Sequence, residues 1–533
     1  MDVITTDILI IGAGGAGLRA AIEAKEMGQN VLLVGKEVLG CAHTGMAMGG
    51  LNAALVAPAT SQFHFDITLE GGYFINNQKI VRAFADEMPE RVHDLERYGV
   101  IFDRTDAGEF YVWAGPKQKH PLNVCVGDYT GREMMQGLVD QARKIGLAYH
   151  DEFFVTRLFV QHEQVCGAFG YDLKTGGTVL IYAKAVILAT GGAGRMYEVT
   201  TNAASNTGDG YAIALEAGAD LIDMEMVQFH PTGMAHPPSS RGVLITEKVR
   251  AHGGILRNRD GERFMQRYFP KEMELAKRDE VSRSIYQEVA AGRGTKRNGV
   301  YLHVDHLSVS EILDKFPDVH EIHRNIGIDI TKEPMEVYPS MHHMMGGVLI
   351  DEWARSSIPG LFACGEVAGG VHGANRLGGN SIAEGQVFGR RAALSAGEFI
   401  EKQKKIPAVS PEDIKKEQEK FQVFLVGSGT PPHEIETMLK KTMWENVGIF
   451  RDEAGLKKAQ KRLQVLQTEA KNMRCRSKHQ KRNRDLQDCF EVLNMLKTAD
   501  AVVQAALLRT ESRGRIAGLI FQKLMKIGEK TLW

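Results

Sequence analysis

The sequence predicts an α/β protein with three parts. These are a Rossmann-like nucleotide-binding domain built from separated segments, an inserted α+β domain and a C-terminal helical domain. Three observations carry this reading. A strand, glycine turn, helix and strand follow one another over residues 7–34. Similar junctions of strand, glycine cluster and helix recur near 186–217 and 361–382. Beyond about Pro411 the glycines thin out and helical periodicity takes over. Length agrees, since 533 residues at roughly 150 per domain suggest three or four domains.

Residues 7–11 are a short apolar run, as in a buried parallel strand. Gly12-Ala13-Gly14-Gly15-Ala16-Gly17 then matches GxGxxG. Residues 18–27 read as a helix ended by Gly28, and 30–34 as the second strand. In this context the glycines let the backbone approach a pyrophosphate at a helix N-terminus. The second strand does not end in the usual acidic residue. Gly35-Lys36 follows Val34 and Glu37 comes late, which disfavours an NAD-type ribose contact and leaves FAD open.

The second junction is a strand over 186–188 leading into Ala189-Thr190-Gly191-Gly192-Ala193-Gly194, with Thr207-Gly208-Asp209-Gly210 before a helix over 211–217. The third runs from Leu361 through Gly365-Glu366 and the stretch 372–381 into a helix from about Ile382. The segments divide as 1–235 and 346–399 for the nucleotide-binding domain, with 236–345 inserted between them. Residues 400–514 form the helical domain, with helices over 434–444 and 456–473, and 515–533 form an atypical tail. Between Lys457 and Arg484 lie eleven Lys/Arg and one acid, Glu469. Such a run is either a solvated helix face or a docking surface for an acidic partner.

Composition excludes several classes. Apolar residues are 43% and charged residues 25%, which rules out disorder and collagen. Lys+Arg is 65 against Asp+Glu 66, which argues against a dedicated nucleic-acid binder. The six cysteines include no CxxC pair. We expect a reducing compartment, no disulfide framework, and no iron–sulfur cluster or metal in this chain. No stretch reaches 18 apolar residues, and the N-terminus lacks the basic and apolar regions of a secretory signal.

Together these motifs resemble the flavoprotein (catalytic) subunit of the succinate dehydrogenase/fumarate reductase family. The resemblance runs from about 5 to 514. It is carried by Gly12 to Gly17, Ala42-His43-Thr44, Gly49-Gly50, Ala189 to Gly194, Asn206 to Gly210, Gln228-Phe229-His230-Pro231-Thr232-Gly233, Thr246-Glu247, Arg278-Asp279, His342, Met345-Gly346-Gly347, Gly365-Glu366 and His372 to Ser381. It implies FAD, held by Gly12, Gly14, Gly15, Gly17, Lys36, His43, Thr44, Gly49, Gly50, Asp209, Glu366, Ser381 and Ile382. In quinone-linked members the histidine of His-Thr is bonded covalently to the flavin, and His43 occupies that position.

The resemblance further implies succinate–fumarate interconversion. Arg376, His230, Thr246 and His342 would bind the dicarboxylate. Arg278 would move the proton, with Glu247 and Arg250 as its relay and the inserted segment as a cap closing over the substrate. Arg278 could instead only pair with Asp279. A separate iron–sulfur subunit, together with a membrane anchor, would carry the electrons, placing the protein peripherally at the cytoplasmic (or matrix) face of the membrane. Competing readings are L-aspartate oxidase, a thiol-driven fumarate reductase, and a flavin-binding assembly factor without turnover.

One departure stands at the C-terminus. Where the family continues Glu-Ser-Arg-Gly with Ala-His-x-Arg-x-Asp-x-Pro, this chain has Arg515-Ile516-Ala517-Gly518. Suitable codons read one nucleotide earlier spell the family pattern, so a frameshift over 515–533, in the gene or in its recorded sequence, is the expectation, with a real divergent tail as the alternative.

Overall fold

The structure, a computed structural model, describes residues 1–115, 118–403 and 405–512, with the backbone of Ala517–Gly518. The expected frameshift otherwise lies outside the described residues.

The main sheet contains β1 (Asp2–Ile11), β2 (Val31–Val34), β3 (Ala148–His150), β4 (Phe153–Gln161), β5 (Gln164–Asp172) and β6 (Thr178–Leu188) in the order β3-β2-β1-β6-β5-β4. A seventh strand, Leu361–Ala363, returns from beyond the insertion to pair with β6. β1 is parallel to both β2 and β6. Ile8, Leu9 and Ile10 are buried on both faces, the continuous apolar burial of a central parallel strand. In register, Ile11 sits opposite Val34 and Leu188, and Leu188 opposite Ala363. Four strand ends therefore finish at one edge, and their glycine loops gather there. That edge of an open α/β sheet is where ligands bind.

Helix α1 (Gly15–Glu26) follows β1 directly. It starts three residues before the apolar pattern suggests, because the glycines themselves form its first turn. Gly12 (φ +114°) and Gly17 explain the spacing. A Cβ on Gly12 would lie 2.2 Å from the Ala189 carbonyl oxygen, and one on Gly17 1.8 Å from the Gly12 oxygen. Helix α2 (Asp209–Ala217) follows the second glycine junction.

The insertion has its own sheet. β7 (Val227–Met234), β8 (Ile255–Arg257), β9 (Val300–His303) and β10 (Met335–Met344) form an antiparallel sheet ordered β7-β10-β9-β8. Its core is separate, with Ile245, Val249, Leu256, Val281, Ile285 and Val337 buried together. The short α3 (Glu247–Ala251) and α4 (Arg278–Ala290) begin at the face turned toward the main domain. The long strands β7 and β10 span the junction, since Phe229 and Met341 pack in the main core.

After α5 (Asn380–Glu401) come α6 (Pro411–Val426), α7 (Pro432–Asn446), α8 (Glu453–Ala470) and α9 (Arg484–Leu508). On α8, Leu456, Ala459, Leu463, Leu466 and Ala470 are buried, the i, i+3, i+4 spacing of one helix face. Its opposite face carries exposed Lys457, Lys458 and Lys461. Helix α9 packs on α2 beside the sheet.

Candidate functional site

One continuous cavity runs from the Gly12–Ala16 loop to the junction of main domain and insertion. Of the residues expected at the cofactor, Gly12, Gly14, Gly15, Lys36, His43, Thr44, Gly49, Gly50, Glu366, Ser381 and Ile382 line it. So do all four expected substrate residues, His230, Thr246, His342 and Arg376, together with Arg278 and Glu247. Gly17, Asp209 and Arg250 do not. Gly17 instead lets α1 sit against the strand end, Asp209 holds Lys36, and Arg250 stands behind Glu247.

At the phosphate end, Gly14 caps α1 without a side-chain acceptor, so backbone N–H groups of the first turn face the cavity mouth. Thr44 Oγ1 accepts from the Gly15 N–H at 3.1 Å. Lys36 Nζ donates to Asp209 (2.7 Å), Glu491 (2.9 Å) and Thr207 (2.6 Å). Burial disfavours its charge, but the two carboxylates raise its pKa overall. Glu491 and Asn494 come from α9, and Asn494 donates to the other Asp209 oxygen at 2.9 Å. Sequence reasoning missed both. They stand more than 280 positions from Asp209 and carry no motif.

Midway along the cavity, His43 Nδ1 accepts from the Ala203 N–H at 3.3 Å, so the second ring nitrogen remains for another partner. Burial lowers its pKa. Glu366 accepts from the Met344 N–H at 2.8 Å and lies 3.5 Å from His343. Burial raises its pKa. Ser381 Oγ lies 3.3 Å from His343 Nδ1. Thr190 Oγ1 and His343 Nε2 are buried at the cavity wall with no hydrogen-bond partner. Such groups are costly unless a ligand satisfies them. With the glycine cradle and the bare helix end, these groups fit FAD.

The far end is cationic. Arg278 opens α4 and donates Nη2 to Glu247 Oε2 at 2.8 Å and Nη1 to Gln228 Oε1 at 3.1 Å. Arg376 Nη2 donates to the same Gln228 oxygen at 2.9 Å. One neutral acceptor thus holds both guanidinium groups at the cavity. Gln228 lies inside a motif that carried the resemblance, yet its role was not read from it. Asp279 does not pair with Arg278; it accepts from Arg283 (3.0 Å) and Tyr73 (3.1 Å).

Behind Arg278 two buried ion pairs run through Glu247 to Arg250. Arg250 Nη2 donates to Glu247 at 2.9 Å and Nη1 to the Glu274 carbonyl at 2.6 Å. The Glu274 carboxylate meets the half-exposed Arg263 at 2.6 Å. Burial works against the charge of Glu247, but Arg278 and Arg250 overcome it and hold the carboxyl well below its usual range. Burial lowers the pKa of Arg250. A Cβ at Gly378 would lie 2.5 Å from Glu247 Oε2 and 2.8 Å from Arg278 Nη2, so this pair closes over a position with room for glycine alone.

His342 Nδ1 meets Thr201 Oγ1 at 2.8 Å, and its ring centroid is 5.1 Å from that of His230. Burial, then His230, Arg376 and Arg278, push His342 well below its ordinary pKa, so it is a neutral imidazole. Thr246 is the N-cap of α3, and its oxygen accepts from the Lys248 N–H at 3.4 Å, which leaves its hydroxyl proton for donation.

Comparison with known proteins identifies the family. The FAD binding domain family matches residues 7–382, and the fumarate reductase flavoprotein C-terminal family matches residues 436–517. The chain is 45% identical to a subunit of the fumarate reductase (CoM/CoB) of Methanothermobacter marburgensis, over 95% of this chain and 93% of that protein. It is 37% identical to the succinate dehydrogenase flavoprotein subunit of Coxiella burnetii, over 95% and 90%. A solved E. coli quinol fumarate reductase superposes with a TM-score of 0.93 at 34% identity, covering 97% of this chain and 92% of that one. The chain belongs to the succinate dehydrogenase/fumarate reductase flavoprotein family and is an FAD-dependent oxidoreductase.

Proposed function

We propose that this chain interconverts succinate and fumarate as the catalytic subunit of a larger electron-transfer complex. The observation that carries the proposal is the convergence of Arg278, Arg376, His230, His342 and Thr246 on one end of the cofactor cavity. A C4 dicarboxylate needs forked cationic donors and neutral N–H or O–H donors at fixed positions. Arg376 holds one carboxylate. His342, kept neutral, Thr246 and His230 supply donors to the rest. Binding that pulls one carboxylate out of plane polarises the double bond, so the site favours the transition state over the bound substrate.

FAD, when bound, supplies hydride transfer at its N5 position. Arg278 then has one task, to give a proton to the substrate carbon during fumarate reduction and to take one in the reverse direction. Free arginine is a poor acid, with a pKa above about 12. Glu247 orients its guanidinium, and Glu247 with Arg250 behind it forms the relay that returns the proton. Closing the insertion over the substrate would exclude water and keep Thr246 and Arg278 at the substrate end of the cavity, where FAD would supply the hydride chemistry. His43 is the residue that would hold the flavin covalently, through the ring nitrogen not engaged by Ala203, and such a bond would raise the flavin potential and help it oxidise a poor donor such as succinate.

Electrons leave through a separate iron–sulfur subunit. A membrane anchor holds the assembly at the cytoplasmic face of the membrane, with quinone as the remote carrier. Among the described residues no helix is long and apolar enough to cross a membrane, as this peripheral placement requires. A second reading keeps the same site but draws electrons from thiols. It is favoured by the 45% identity to a fumarate reductase whose name carries CoM/CoB. Assaying the assembled complex with a quinol and with a thiol pair as alternative donors separates the two.

Anaerobic titration of the oxidised flavin tests the core proposal. Succinate bleaches the visible band and L-aspartate leaves it unchanged. Bleaching by aspartate alone would move the chain to the oxidase branch.

A further inference from the structure

The six cysteines show no close spacing in sequence, yet folding brings two of them together. Cys475 Sγ and Cys489 Sγ are 3.9 Å apart, and both side chains are buried. They are free thiols. Cys475 lies in the turn after α8, where its N–H bonds to the Phe424 carbonyl at 3.1 Å. Cys489 lies in α9, two residues before the Glu491 that holds Lys36 at the cofactor cavity. Phe424 and Phe490 stack edge to face close by, with centroids 5.4 Å apart. The turn is not sealed from solvent. An open cleft lined by Gly176, Gln422, Leu425 and residues 478–481 runs beside it.

We propose that Cys475 and Cys489 form a reversible dithiol/disulfide couple, a modification site for hydroperoxides distinct from the flavin chemistry. The two sulfurs are matched for it. The hydrogen bond between them holds the Cys475 thiol below its ordinary pKa and pushes that of Cys489 up. Cys475 is thereby the more acidic of the two and the sulfur that attacks, with Cys489 3.9 Å away to resolve it. The Cys475 thiolate attacks one peroxide oxygen. The O–O bond breaks, the first water leaves with the thiol proton, and Cys475 carries a sulfenic acid. The Cys489 sulfur then attacks that sulfur, and its proton goes to the departing hydroxyl as the second water. Two thiols lose two electrons and two protons, and the peroxide gains both. The new bond ties the turn after α8 to α9 beside Glu491.

The test uses the full-length flavin-loaded protein, treated with hydrogen peroxide, alkylated after unfolding and digested without reductant. The expected result is a cross-linked peptide pair containing Cys475 and Cys489. Dithiothreitol removes the link, while Cys125, Cys166 and Cys364 stay alkylated throughout. In Cys489→Ser the link is absent and Cys475 is trapped as a sulfenic acid that dimedone labels. The wild-type map decides alone if that variant does not fold. Oxidation confined to the exposed Cys41, over-oxidation without a linked peptide, or a link formed only in unfolded protein would each overturn the proposal.

Discussion

Arg278 shows how position changes what a residue does. An arginine before an aspartate reads most simply as a local ion pair. Here Asp279 turns to Arg283 and Tyr73, while Arg278 faces the cavity and shares Gln228 with Arg376. Replacing Arg278 with Lys or Ala would remove the proposed proton donor while leaving the glycine cradle and Lys36 in place. Turnover falls by about 10²–10⁴-fold, the usual contribution of general acid–base catalysis, while flavin absorbance per protein stays unchanged. Steady-state fumarate reduction alongside a flavin spectrum checks this. His43 makes a second residue-scale prediction. Acid precipitation leaves the flavin with the protein pellet, and His43→Ala releases it to the supernatant. Flavin wholly in the wild-type supernatant would refute the attachment.

Elements determine which distant residues meet. Strands β1, β2, β6 and Leu361–Ala363 end in register, so loops from four parts of the chain form one wall. The glycine clusters announced those loops, but neither helix start nor strand order was explicit in them. Helix α1 begins at Gly15 and α5 at Asn380, both ahead of their apolar patterns and both directly after a glycine, Gly14 and Gly379, without a side-chain cap; at Gly379 the backbone is left-handed, which glycine adopts freely. Helix α9 contributes what no motif announced. Glu491 and Asn494 close around Lys36 and Asp209 from the C-terminal domain. Substituting Glu491 by Ala leaves buried Lys36 with one carboxylate in place of two. Loss of a charge-assisted bond there costs about 2 kcal/mol, seen as a lower urea midpoint.

At the scale of the molecule, the burial of ionisable groups sets a pH dependence. Glu384 is buried on α5, and burial with Glu366 nearby pushes its carboxyl up to about 8 despite Arg376. An unfolded chain releases that proton near the ordinary value of about 4.3. Between the two values the native state binds more protons than the unfolded state, so stability falls as pH rises. Glu247 has the opposite sign. Its folded pKa is depressed, so its contribution is complete above the ordinary range and is lost only in acid. Urea unfolding between about pH 5 and pH 8 shows the decline, and Glu384→Gln flattens it.

Local chemistry was legible in the sequence alone. Glycines before helices, the His-Thr pair and the spaced Arg, His and Glu motifs pointed to the fold class, to FAD and to many of the polar residues that line the cavity, because each depends on a few neighbouring residues. What needed the tertiary structure were contacts between residues hundreds of positions apart. Gln228 joining two arginines, α9 clamping Lys36, the buried Arg278–Glu247–Arg250 chain, and Cys475 meeting Cys489 all depend on how packed elements cross. Apolar periodicity specifies which face of an element is buried, but not which partner it meets or which polar groups are brought together at that junction.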